Sequence, residues 1–172
     1  MGDGLCETGG DADVGVPGRY VPNFDAEAAG AIAVGIDVIE IARIQHVLDD
    51  FGDRFLRRVY TERERERYSG RVAELAARFA AKEATSKALG TGIRGIRWRE
   101  MEILSNRRGK PVLVLHGAAA ERAASLGLTD FDLSLTHSRT DAVAFVIGVR
   151  GRSAGPSAAT EPAASGAASL RP

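Results

Sequence analysis

Residues 78–92, Arg-Phe-Ala-Ala-Lys-Glu-Ala-Thr-Ser-Lys-Ala-Leu-Gly-Thr-Gly, constrain the fold more than any other stretch of this chain. They read as the last turns of a helix closed by a glycine stop. Phe79, Glu83 and Lys87 recur every four residues and so form one ridge of an α-helix, with Ala76, Ala80, Ala84 and Ala88 on the ridge beside it. Alanine projects so little that another backbone, or a ligand, can come close to such a helix. A carboxylate and an ammonium would then share the face being approached. Gly90 and Gly92 end the helix in a turn poor in side chains, of the kind that tolerates phosphates. A Glu followed four residues later by Lys is also a common solvated helix pair, contributing about 0.2–0.5 kcal/mol, so the pair alone carries no chemistry.

Composition sharpens that reading. The chain holds 23 basic residues, of which only Lys82, Lys87 and Lys110 are lysine. Two of those three lie in this one helix. Lysine offers a compact ammonium that acts as a point charge, whereas arginine offers a planar fork, so the choice hints that a specific ammonium is needed here.

The formal net charge is zero, which argues against a general nucleic-acid binder. Residues 1–30 are rich in Gly, Asp, Ala and Pro without an apolar period, and residues 151–172 are almost wholly Gly, Ser, Ala and Pro. Both are expected to be disordered tails, leaving one working domain at about residues 31–150. The N-terminus is acidic and lacks an apolar stretch, so no secretory signal is read there, and no run approaches the ~18–20 apolar residues of a membrane span. Cys6 is the only cysteine, which fits a reducing, cytoplasmic setting.

Taken in order, Ala31 to Ile39 reads as a buried strand through its β-branched content, interrupted by Asp37. That carboxylate either caps the helix that follows or holds a metal ion. The helix is expected from Glu40 to Phe51, with a second stretch from Arg54 to Tyr60. Thr61 and Glu64 have the form of a capping box for a short helix, Glu62 to Tyr68, whose alternating Glu-Arg run reads as a solvated face. The helix from Val72 to Leu89 delivers the opening motif. After Gly95 the period becomes alternating: two strands flank a basic turn, Asn106 to Pro111, in which Lys110 and its arginine neighbours could hold a phosphate. A helix from Ala118 to Leu126 and strands Phe131 to Thr136 and Ala142 to Val149 complete the domain, with His137 at a strand end.

Three of these stretches together resemble a known family. Gly35-Ile36-Asp37-Val38-Ile39-Glu40-Ile41, Phe79-Ala80-Ala81-Lys82-Glu83-Ala84-Thr85-Ser86-Lys87-Ala88, and Leu133-Ser134-Leu135-Thr136-His137-Ser138 with Ala142-Val143-Ala144 are similar to the three signatures of the 4′-phosphopantetheinyl transferases. Thr61-Glu62 and Gly109-Lys110-Pro111 stand between them in the familiar places. The resemblance is to the short holo-acyl-carrier-protein synthase type and covers about residues 33–149.

The resemblance implies an α+β, single-lobe fold, a mostly antiparallel sheet packed against a long helix. It implies transfer of phosphopantetheine from coenzyme A to a serine of apo-acyl carrier protein, with release of adenosine 3′,5′-bisphosphate. Asp37 and Glu83 match the family's magnesium ligands, and Lys87 matches the lysine that stabilises or protonates the departing phosphate. Glu83 is the first choice for the base that takes the serine proton, directly or through a metal-bound water, with Asp37 the alternative. His137 matches a histidine associated with the coenzyme, and Lys82, Gly90, Gly92 and Lys110 are expected beside it in substrate binding. Arg43 matches a basic contact to the carrier, although Asp49, Asp50 and Asp53 share that region. Each signature occurs once, so the expected assembly is a homotrimer with sites between subunits. A magnesium-dependent hydrolase of nucleotides would use the same residues, and a non-catalytic carrier-binding module would not need them.

Overall fold

A computed structural model describes residues 32–151, and the expected tails lie outside the described residues. The elements run β1 (Ile32–Glu40), α1 (Ile41–Val59), α2 (Glu62–Tyr68), α3 (Val72–Ala88), a short 3-10 turn (Trp98–Glu100), β2 (Met101–Ser105), β3 (Pro111–Leu115), α4 (Gly117–Ser125), β4 (Leu128–His137) and β5 (Asp141–Arg150). One antiparallel sheet has the order β1-β5-β4, and β2 with β3 forms a separate antiparallel hairpin.

Helix α3 packs across one face of the three-stranded sheet. Its Ala76, Ala80, Ala81, Ala84 and Ala88 are buried, and they meet Ala142, Ala144 and Val146 of β5. Small residues on both surfaces let the two come together closely. A Cβ placed on Gly35 of β1 would lie 1.8 Å from the Ala84 carbonyl oxygen, so the strand backbone itself rests on the helix. The alanine ridge thus receives a backbone.

Strand β1 departs from the expectation of a fully buried strand. Its inner face carries Ala33, Gly35, Asp37 and Ile39, while Ile32, Val34, Ile36 and Val38 are exposed on the other, Val38 at 62%. Exposed Phe145 and Val149 of β5 continue that outer face, so period-two alternation places apolar side chains on both sides of the sheet.

The two stretches expected on either side of Gly52 form one bent element, α1. Gly52 breaks the helical path at φ 45, ψ −126, a conformation open to glycine at little cost. The capping box is present: the Thr61 side chain accepts from Glu64 N, and the Glu64 side chain accepts from Thr61 N at 2.8 Å. The alternating Glu-Arg run, however, is not solvated throughout. Glu64 is fully buried, because its carboxylate accepts from Ile103 N at 2.9 Å and from Lys82 Nζ at 2.9 Å. That corrects the reading of α2 as a wholly solvated face.

Candidate active site

Alternation along β1 puts Asp37 on the face that meets α3, two residues beyond the close contact at Gly35. The four-residue spacing on α3 brings Lys87 to the same place. Its ammonium donates to Asp37 Oδ1 at 2.8 Å and to the Ile36 carbonyl at 2.9 Å, with the lysine side chain 51% exposed. Helix α1 begins immediately after β1 and has Glu40 as its N-cap, without a side-chain capping bond. Asp37 therefore does not cap that helix, which leaves its carboxylate facing α3.

Glu83 lies one turn before Lys87, and with Asp37 it lines a cavity of about 240 Å3 walled by Ile44, Val47, Phe55 and Phe79, with Arg43 entering from the first turn of α1. Burial, then the charge of Asp37, push the Glu83 carboxyl above its ordinary range, while Lys87 and Arg43 work in the opposite direction. Two neighbouring carboxylates, one of them pushed up by burial and by the other's charge, with Lys87 and Arg43 close by, suit proton transfer or a bound divalent cation. Larger cavities of about 450 and 410 Å3 lie elsewhere, around Arg97 and Arg99; the first has Glu62 and Glu100 in its lining and the second no acidic residue, and neither includes Asp37 or Glu83.

The other expected site residues separate into three places. His137 is exposed at the end of β4 and lines a cavity of about 200 Å3 with Gly109 and Pro111 of the hairpin turn and with Glu74, Arg78 and Ser105. That cavity shares no lining residue with the one around Glu83. Lys110, from the same turn, directs its ammonium to Asp132 at 2.8 Å. Gly90 and Gly92 follow α3 with φ 70 and φ 55, and Arg122 holds the turn by donating to the Leu89 carbonyl at 3.1 Å.

Lys82 contradicts its expected role in substrate binding. Its side chain is wholly buried, and its ammonium donates to Glu64 Oε2 at 2.9 Å, the Trp98 carbonyl at 3.1 Å and the Met101 carbonyl at 2.6 Å. Burial lowers its pKa, opposed by the Glu64 charge. Three donors meet three acceptors, and none is left for a ligand.

Sequence reasoning does not single out two further residues. Arg78 stacks over Tyr68 at 3.6 Å, pairs with Glu74 and donates to Ser105 Oγ at 3.1 Å, placing a buried cation beside the His137 cavity. Its spacing from Glu83 gives no hint of this: Glu74 is four residues back on α3, but Tyr68 comes from α2 and Ser105 from β2. Gly35 sets how near Asp37 stands to α3; a glycine within a β-branched run is the signal that could have found it.

The pattern that defines the 4′-phosphopantetheinyl transferase superfamily matches residues 33–146. A holo-[acyl-carrier-protein] synthase of Herpetosiphon aurantiacus is 47% identical over 125 residues, covering 69% of this chain and 98% of that protein. Among solved structures, the holo-[acyl-carrier-protein] synthase of Neisseria meningitidis superposes with a TM-score of 0.64 at 33% identity, over 69% of this chain and 98% of that one. The Helicobacter pylori synthase in complex with coenzyme A superposes with a TM-score of 0.62 at 28% identity, over 67% and 98%.

Proposed function

We propose a reaction for this chain from one premise: it belongs to the 4′-phosphopantetheinyl transferase superfamily. The reaction is that of a holo-[acyl-carrier-protein] synthase, which moves 4′-phosphopantetheine from coenzyme A to a serine of apo-acyl carrier protein for fatty acid or polyketide synthesis. The observation that carries this reading is the meeting of Asp37, Glu83 and Lys87 where β1 rests on α3. In the transfer, the serine oxygen bonds to the phosphorus that carries pantetheine, and the bond from that phosphorus to the bridging oxygen breaks. Adenosine 3′,5′-bisphosphate leaves. Glu83 takes the serine proton, a task favoured by a carboxyl whose pKa is raised. Lys87 supplies positive charge, and a proton where needed, to the departing phosphate.

The donor set fits Mg2+. Asp37 and Glu83 offer hard oxygens, and among the described residues no third acidic, histidine or cysteine side chain joins them, which leaves room for water and phosphate oxygens. Bound there, Mg2+ would neutralise charge on the pyrophosphate.

The exposed apolar face of β1 and β5 supports assembly as a homotrimer, because Ile32, Val34, Ile36, Val38, Phe145 and Val149 have no cover within the described residues. Coenzyme A bound between subunits would join the His137 cavity of one chain to the Glu83 cavity of its neighbour. Arg43 lies at the rim, where it can meet an acidic carrier. No helix among the described residues is long and apolar enough to cross a membrane, and the reading is of a cytoplasmic enzyme.

The test is the intact mass of a purified apo-acyl carrier protein after incubation with the chain, coenzyme A and Mg2+, with and without chelator. A gain of one phosphopantetheine that disappears with chelator is expected. Consumption of coenzyme A without that gain would instead identify a hydrolase.

A further inference from the structure

The outer face of α1 carries a groove of about 280 Å3 lined by Val47, Phe51, Arg54, Phe55 and Arg58. Phe51, in that lining, is 55% exposed. Neither Arg54 nor Arg58 has an ion-pair partner among the described residues, whereas Arg57 is held by Asp53 at 2.7 Å. The three aspartates nearby are engaged along their own helix: Asp49 accepts from Gln45 at 2.7 Å, Asp50 lies 3.6 Å from His46, and Asp53 takes Arg57. The groove is therefore lined by apolar and cationic side chains alone. It also continues into the candidate site, because Val47 and Phe55 line both this groove and the cavity that holds Asp37 and Glu83.

The same chain contains a segment of complementary chemistry. Residues 1–31 hold Asp3, Glu7, Asp11, Asp13, Asp25 and Glu27 against the single Arg19, with Val14, Val16, Tyr20, Val21 and Phe24 interspersed. The whole chain is formally neutral, so the acidic excess of this segment is balanced by a basic excess in the remainder. The segment also sets this chain apart from its Herpetosiphon relative: the family pattern begins at residue 33, and that relative is 98% covered by the match although only 69% of this chain is. At about 3.3 Å per residue its contour approaches 100 Å, several times the ~14 Å radius of gyration of a 120-residue domain, so length allows it to reach any face. Charge and continuity then decide among faces. The cavity lined by Arg65 and Arg97 includes Glu62 and Glu100; the α1 groove and the cavity that shares its Arg58 have only cationic and apolar lining, and of these two only the α1 groove shares residues with the cavity that holds Asp37 and Glu83.

We propose that residues 1–31 dock in the α1 groove between Arg54 and Arg58 and act as a built-in competitor for the acidic partner that approaches Asp37 and Glu83. The contact itself is independent of the phosphopantetheine transfer; the competition rests on that reaction. A tethered competitor acts at an effective concentration set by its linker, so acidic partners bind more weakly without any change at the reacting atoms.

Cys6 lies in the segment and is the chain's only cysteine, so the full chain can be spin-labelled at that one position without substitution. The amide signals of Val47 to Arg58 should be attenuated selectively by the label, and the attenuation should disappear in the Arg54→Glu/Arg58→Glu chain and at about 0.5 M salt. Attenuation that is uniform, absent or centred on Arg65 and Arg97 would overturn the docking, whatever the chain's activity. In a second arm, the six acidic residues of the segment are changed to their amides in the full chain. The KM for apo-acyl carrier protein should fall about three- to tenfold with kcat unchanged. An unchanged KM in a chain that performs the transfer would overturn the competition, while absence of transfer in both chains would count against the reaction and leave the label experiment to judge the docking.

Discussion

Lys82 and Lys87 stand five residues apart on α3, and helical geometry turns them to different sides of it. On the sealed side, Lys82 and Glu64 are both at 0% exposure, and every donor of the ammonium has an acceptor. On the open side, Lys87 is 51% and Asp37 17% exposed, and Glu83 stands beside them with a raised pKa. The sealed pair ties α2 and α3 to the start of β2. The open pair leaves carboxylate oxygens that a ligand, a proton or a cation can still reach. What separates structural from reactive charge here is how completely each group is satisfied, which the residue type does not reveal.

The largest effect should come from the open side. Glu83→Gln keeps the shape and removes the charge, and transfer to the carrier should fall by about 10²–10⁴-fold while thermal unfolding at neutral pH stays cooperative. A chain that fails to fold would move Glu83 to the sealed side of the comparison. Next in size is Lys82→Met, which strands the buried Glu64 carboxylate and should cost about 3–5 kcal/mol in urea unfolding. The matching change Lys87→Met should cost less than about 1 kcal/mol, as expected of an exposed pair, and a similar loss for both lysines would erase the distinction.

Gly35→Ala tests the contact that joins the two sides. Its Cβ would meet the Ala84 carbonyl at 1.8 Å, so β1 must move off α3, with an expected loss of about 1–3 kcal/mol and of transfer together. Unchanged activity would mean that Asp37 does not need this approach.

The smallest effect is one of pH. Because the Glu83 carboxyl is raised, the folded chain keeps that proton to a higher pH than the unfolded chain does. The stability it contributes is complete below the ordinary carboxylate pKa and is lost as pH rises through the raised value. Glu83→Gln should therefore unfold slightly later than the parent at about pH 7 and with it at about pH 3, as calorimetry would show. An earlier unfolding at about pH 7 would mean that the ionised carboxylate stabilises the fold.

Much of the fold is legible in the sequence. The capping box at Thr61 and Glu64, the glycine stop at Gly90 and the change to alternating period after Gly95 are local signals, and the elements lie within a few residues of where those signals put them. The meeting of Asp37, Glu83 and Lys87 also follows from local rules, alternation on a strand and four-residue spacing on a helix, once the two elements touch. Lys82 and Glu64 are misread from sequence because nothing in their neighbourhoods along the chain distinguishes a buried ion from a solvated one. The lysine choice does carry information: at Lys82 it marks an ammonium that must satisfy three acceptors converging from different elements, a geometry that arginine's planar fork does not match.

The sequence by itself determined the elements, their order, the family and the chemical types available at the site, because caps, glycines and periodicity act over a few residues. Tertiary structure alone decided which charges are sealed and which are open, how closely Gly35 rests on Ala84, and which side of β1 the described residues leave uncovered. Desolvation depends on what packs from across the chain: Lys82 finds its partners 16 to 19 positions away and Glu64 reaches Ile103, 39 positions on. No window of local sequence contains both ends of such a contact.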